Sequence, residues 1–149
     1  METVLVPLDT SEIASKVLRE AESLAMKLKA GMVLFHVIGP VASYIPGGAS
    51  MDLIATTPPE LDNEQPDVAR SRLEQLAAPL RTKGLDVACE ATFGIPVDEI
   101  LDQAKVRGAN YIVLGSHGHG ALFHLFGGSV VTGVLKRSVC PVVVVPVRK

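Results

Sequence analysis

Apolar runs of strand length alternate along this chain with segments of helical period, and that alternation excludes most architectures. VLVPL (4–8), MVLFHVI (32–38), YIVL (111–114) and VVVV (142–145) are rich in β-branched and aliphatic residues. Runs that are apolar on both faces suit strands of a parallel sheet covered by helices on either side. Strands are expected at Thr3–Leu8, Met32–Ile38, Leu85–Thr92, Asn110–Leu114 and Pro141–Val147.

The intervening segments read as helices. Ile13, Val17, Leu18, Ala21, Leu24, Ala25 and Leu28 recur at helical spacing. Asp9, Thr10 and Ser11 supply the turn and N-cap before them, and Gly31 ends the helix. Pro66–Lys83 places Ala69, Leu73, Leu76 and Leu80 on one face, with Pro79 expected to kink the helix or end it early. Pro96 opens a third helix at a favourable first-turn position, with Asp98 and Glu99 matching its positive end. Ser129–Arg137 forms a fourth, with Lys136 and Arg137 at its negative end.

Residues 39–65 change character. They hold four prolines and four acidic residues, and neither Lys nor Arg. A long surface loop is expected there, with a short helical piece near Asp52–Ala55.

The order βαβ-loop-αβαβ-αβ implies an open α/β fold with a parallel sheet covered on both sides. The 149 residues fit one domain, 1–149, with a largely aliphatic core because aromatics are few and tryptophan is absent. A net charge of −2 offers no basic footprint for nucleic acid. The longest apolar run is too short to span a bilayer, so no membrane segment is expected. VLVPL stands directly at the start, so no secretion signal is expected either. Cys89 and Cys140 have no metal-type spacing and read as buried free thiols of a reducing cytoplasm.

One stretch does not serve the core. GSHGHGALFHLFGGSV (115–130) holds five glycines and three histidines directly after a strand. Glycines clustered there mean tight turns or a ligand pressed against the main chain. Ligands of open α/β sheets sit at the carboxyl ends of the strands where strand order reverses. In order 3-2-1-4-5 the crevice lies between strands one and four, beside Asp9 and Gly115. In order 2-1-3-4-5 it lies between strands one and three, and Gly94 replaces Gly115. The first is favoured, because chemistry-bearing residues are denser after strand four. Gly127, Gly128 and Ser129 precede a helix N-terminus, whose free N–H groups suit a phosphate. The alternative is an ordinary glycine turn with Ser129 as N-cap. Neither a P-loop nor a G-x-G-x-x-G fingerprint is present.

Gly115-x2-Gly118-x9-Gly128-Ser129 resembles the nucleotide-binding signature of the universal stress protein family. VLVPLDTSE, HVI at 36–38, FGIPVDEI and CPVVVVPV resemble further segments of that family, so the likeness spans nearly the whole chain outside 39–65, which varies among members. The resemblance implies a five-stranded Rossmann-like parallel sheet of order 3-2-1-4-5, a cytoplasmic homodimer and ATP binding, with AMP and ADP as related ligands. It implies that Pro7, Leu8 and Asp9 meet the adenosine moiety, with Asp9 accepting from a ribose hydroxyl, and that Val37 holds adenine. Gly115 and Gly118 would approach ribose and phosphates, and Gly128, Ser129 and Val130 would cradle phosphate oxygens.

Two positions depart from the family pattern. His119 and His124 stand where many relatives carry Arg, and Thr10 where they often have Gly. Phosphate charge would fall to backbone N–H groups, a metal ion or protonated histidine. His117-x-His119 with His124 is weak as a dedicated metal site, because no carboxylate or cysteine completes the set within 115–130. Mg2+ or Mn2+ shared with nucleotide phosphates fits better. Slow ATP hydrolysis is an alternative use of the site, though no Lys or Arg in the glycine segment supports efficient phosphoryl transfer. A dimer with a vestigial site is the other alternative. Either way the apolar strand Val142, Val143, Val144, Val145 would be an edge in the favoured order, and pairing with its copy would cover it.

Overall fold

The computed structural model describes residues 1–9, 14–39, 64–116 and 129–146. Five strands, β1 (Thr3–Pro7), β2 (Gly31–Ile38), β3 (Val87–Phe93), β4 (Tyr111–Gly115) and β5 (Val142–Val145), alternate with four helices among these residues. The helices are α1 (Ala14–Leu28), α2 (Pro66–Thr82), α3 (Pro96–Arg107) and α4 (Ser129–Arg137). All strand pairs are parallel and the order is β3-β2-β1-β4-β5. Of the two orders that the sequence leaves open, the one with its reversal between β1 and β4 is therefore present.

Period-two alternation divides the strands between two apolar layers. Val4, Val6, Met32, Leu34, Val87, Cys89 and Val113 pack under α1 and α2. Leu5, Val33, Phe35, Ile112 and Leu114 pack under α3 and α4. The helices meet the sheet through small residues: Ala14, Ala21 and Ala25 on α1, Ala69 and Ala77 on α2, and Ala104 on α3. Phe35 is the one aromatic side chain of the core among the described residues, in line with the aliphatic core expected.

Two glycines shape the α3–α4 side. Gly108 ends α3 in the left-handed conformation, φ 59°, with its N–H on Lys105 O at 3.1 Å. Gly133 sits inside α4 where a β-carbon would lie 2.9 Å from Cγ2 of Val97, so the missing side chain lets α4 close onto α3. Arg137 adds an ion pair to Asp98 at 2.7 Å.

Three local expectations need correction. Leu76 is 37 % exposed and Ala77 takes its place in the core. The buried stripe Ala69, Leu73, Ala77, Leu80 advances by four, four and three, and Leu76 falls at its solvent-side edge, on the far side from Ala77. Pro79 does not end α2 early, because the helix runs on to Thr82. The lost hydrogen bond falls in the last turn on an exposed face, Thr82 Oγ1 donates to Pro79 O at 2.7 Å, and buried Leu80 anchors the end. Third, Cys89 is buried, but Cys140 is only half-buried beside Ser138.

Thr10 and Ser11 of the expected turn, Ile13 of the expected helix, and the 39–65 loop save Gly39, Glu64 and Gln65 lie outside the described residues. No described helix is long and apolar enough to cross a membrane.

Candidate functional site

The sheet comes apart between β1 and β4. At the amino ends Thr3 N–H donates to Asn110 Oδ1 and Asn110 N–H donates to Thr3 O, both at 2.8 Å. Val4 then pairs with Tyr111 and Leu5 with Ile112, where the register between these strands stops. On the other flank β1 stays paired with β2 up to Pro7–Phe35, and β4 stays paired with β5 up to Gly115–Val145. The carboxyl halves of β1 and β4 are therefore not joined to each other, at the point where strand order reverses.

Pro7 explains where the ladder ends. In a parallel ladder, successive residues turn their polar groups alternately to the two neighbours. Leu8 N–H donates to Phe35 O at 2.8 Å, so the even residues of this stretch face β2. Thr3, Leu5 and Pro7 face β4, and the rung after Leu5 needs an N–H at position 7. Proline has none.

The described residues of the candidate set gather at this edge. Pro7 and Asp9 are half-buried at the end of β1. Leu8 is 5 % exposed, with its side chain in the core, so only its backbone faces the edge. Gly115 ends β4, and Ser116 N–H closes onto Val145 O at 2.8 Å. Ser129 and Val130 open α4, which runs back along the sheet as a crossover helix and so turns its amino end to the carboxyl edge. Val130 packs against the α3–α4 layer. Val37, near the end of β2, packs on the same layer and pairs with Thr92. His117, Gly118, His119, His124 and Gly128 lie outside the described residues.

Gly94, beyond β3, donates its N–H to Ile38 O at 3.1 Å and holds φ at 152°. A β-carbon there would lie 2.5 Å from Cγ of Glu99. It serves the turn into α3, and the strand order leaves it away from the crevice.

His36 is the residue that sequence reasoning missed. It lies on the α2 side of β2, on the same face as Met32 and Leu34. Its Nδ1 is 2.7 Å from Leu8 O and its Nε2 is 3.3 Å from Glu64 Oε2. Glu64 in turn pairs with Arg72 of α2. Burial lowers the His36 pKa from the usual 6.5, the Leu8 carbonyl opposes that shift, Arg72 adds to it and Asp9 opposes it. The only advance signal was a lone histidine at an even position of an apolar strand, with partners 28 residues away on either side.

Comparison with known proteins agrees with this architecture. The sequence profile described as "Universal stress protein family" matches residues 1–146. Universal stress protein MJ0577 of Methanocaldococcus jannaschii is 30 % identical, covering 95 % of this chain and 93 % of its own length. A solved structure of MJ0577 superposes with a TM-score of 0.75 at 28 % identity, covering 99 % of this chain and 97 % of the other. Universal stress protein YxiE of Bacillus subtilis is 32 % identical, covering 95 % of this chain and 97 % of its own length. Two more distant structures share the fold. One is a universal stress protein from Archaeoglobus fulgidus in complex with dAMP, at 23 % identity and TM-score 0.63, covering 97 % of each chain. The other is a universal stress protein in complex with cAMP, at 21 % identity and TM-score 0.66, covering 97 % of this chain and 96 % of the other. With its profile match across almost the whole length and its sheet in the order 3-2-1-4-5, the chain belongs to the universal stress protein family.

Proposed function

We propose that this chain is a single-domain regulatory module that binds an adenine nucleotide, ATP in the first instance, in the crevice between β1 and β4. The observation that carries the reading is the early end of the β1–β4 ladder at Leu5–Ile112. It opens a cleft at the reversal of strand order, where open α/β sheets take their ligands. The dAMP and cAMP complexes of two proteins with this fold support an adenosine ligand.

In this reading Pro7, Leu8 and Asp9 line the adenosine end, with Asp9 on a ribose hydroxyl and Leu8 acting through its backbone. Val37 borders the adenine. Gly115, Gly118, Gly128, Ser129 and Val130 let phosphate oxygens approach backbone N–H groups at the amino end of α4, with His117 and His119 nearby. Among the described residues no three His, Cys, Asp or Glu side chains gather as a metal site. A Mg2+ or Mn2+ ion would be held jointly with the nucleotide phosphates.

The module works as a cytoplasmic homodimer in this reading. The supporting feature is the sheet edge at β5, where Val143 is 37 % exposed; Leu135 of α4 and Val139 before β5 are exposed as well. Sedimentation of Val144→Asp tests the pairing, and an unchanged dimer would place the interface elsewhere.

The test of the ligand is a thermal-shift titration with ATP, AMP, cyclic AMP and GTP, with and without Mg2+. Ligand at a hundred times its Kd stabilises by about 2.7 kcal/mol. That corresponds to roughly 5–10 °C for a chain of this size. Adenine nucleotides should shift the parent and not Gly128→Val, while GTP shifts neither. No shift with any adenine nucleotide would overturn the reading.

A further inference from the structure

Both ring nitrogens of His36 face oxygen acceptors. Nδ1 lies 2.7 Å from the carbonyl oxygen of Leu8, and Nε2 lies 3.3 Å from a carboxylate oxygen of Glu64. A neutral imidazole carries one N–H and one lone pair. If the proton sits on Nδ1, the lone pair of Nε2 points at the carboxylate. If it sits on Nε2, a lone pair points at the carbonyl at the shorter distance. Only the doubly protonated ring donates to both oxygens.

We propose that His36 is a proton-operated positioning residue that ties Glu64, at the head of α2, to the Leu8 carbonyl at the carboxyl end of β1 when its ring carries two protons, and releases Glu64 when it carries one. The ring is well placed to report the state of its surroundings. Its side chain is 13 % exposed and that of Glu64 is 23 % exposed. Four groups act on it. Leu8 O and Glu64 accept from it, Asp9 on the β1 end favours its charge, and Arg72 from α2 disfavours it while holding the other oxygen of Glu64. Burial opposes the second proton. The tie is therefore poised between burial, which releases it, and two acceptors, which close it. When it closes, the carbonyl between Pro7 and Asp9 is held by a charged donor, and such bonds are about twice as strong as neutral ones.

The variant that separates this role from simple packing is Glu64→Gln. An amide can donate to a bare Nε2, so the neutral ring with its proton on Nδ1 would then satisfy both partners. The experiment is a pH series of nitrogen-15 spectra of the His36 ring, with the backbone amides of Asp9 and Gln65 followed in parallel, between about pH 5 and 8. In the parent, the ring should pass from two protons to one with rising pH, and both amides should move with the same midpoint. In Glu64→Gln, the ring should keep one proton on Nδ1 to lower pH and the Gln65 step should vanish. Arg72→Gln should move the parent midpoint upward, since it removes a like charge. A Gln65 amide that does not follow the ring in the parent, or a Glu64→Gln ring that titrates like the parent's, would overturn the proposal. Both readouts are taken on the protein without nucleotide, so they succeed or fail whether or not the crevice holds one.

Discussion

Pro7 stands opposite Phe35 as the last registered pair between β1 and β2, yet has no N–H for β4 on its other side. Replacing it should close the gap by one rung. In Pro7→Ala the new N–H can reach the carbonyl of Val113, and a ladder hydrogen bond adds about 0.5–1.5 kcal/mol. A ligand entering the crevice must then break that bond, so the Kd for an adenine nucleotide should rise by up to about tenfold. Amide exchange at residue 7 and calorimetric titration check the two halves. A rapidly exchanging amide would show that the strands part for another reason.

Gly94→Ala should destabilise the turn into α3. Its φ of 152° favours glycine, and the added carbon meets Glu99 at 2.5 Å. Backbone strain of this kind costs about 1–3 kcal/mol. Urea unfolding should show a lower midpoint with an unchanged slope, and a midpoint equal to the parent's would remove the argument.

Gly133 and Val97 should be coupled. Gly133→Val overpacks the α3–α4 contact, where even one added carbon lies 2.9 Å from Val97. The expected loss is about 1–3 kcal/mol. Val97→Ala makes room, so the double variant should recover part of that loss. Additive losses in the double-mutant cycle would mean that the two side chains do not meet.

The acid sensitivity of the fold should include a contribution from His36. Its pKa is held below the usual 6.5, chiefly by burial, so the unfolded chain takes up this proton more readily than the folded one. Stability from this group is thus complete above the unfolded value and falls as pH drops below it. His36→Gln should flatten that part of the profile, whereas Glu64→Gln should steepen it by removing the partner that favours the charge. Chemical denaturation at several pH values gives the slopes, and an unchanged His36→Gln profile would contradict the assignment.

The two cysteines should react very differently. Burial, then the charge of Glu74, pushes the Cys89 thiol up to about 11, with Arg81 opposing. At pH 8 only about one Cys89 in a thousand would be thiolate, and the thiolate is the reactive form. Cys140 is half-buried. A disulfide reagent should label Cys140 in the folded protein and Cys89 only after unfolding. Equal rates would mean that the sheet opens at β3.

The architecture was largely legible because parallel strands and covering helices each leave a local period. Val4, Leu5 and Val6 announce a strand buried on both faces, and Pro96 with Asp98 and Glu99 announces a helix start. Strand order was less so, since a chain alone allows the crevice beside β3 or beside β4. Leu76 and Ala77 show the limit of helical period, because Leu76 also stands at helical spacing from Leu73 and Leu80 and yet lies at the exposed edge of the stripe. Asp9 and Gly115 could be placed from sequence at the carboxyl edge where β1 and β4 part, but the mechanics of that edge could not. Pro7 reads as an interruption until the alternation of the ladder shows which neighbour loses its rung. His36, Glu64 and Arg72 are far apart in sequence and meet only when α2 lies over β2.

The pair of hydrogen bonds between Thr3 and Asn110 gives the split sheet a fulcrum. Beyond Leu5, β1 and the two residues after it run on to Asp9, a lever arm of roughly 13 Å at strand rise. A small rotation about the sewn end therefore becomes a larger displacement at the mouth, with no rung of the β1–β4 ladder to be broken along the way. Each half of the sheet stays whole, β1 with β2 and β4 with β5, while the core under α1 joins Val4 and Val6 to Val113 and Val145, so any change in the width of the cleft is confined to its carboxyl mouth.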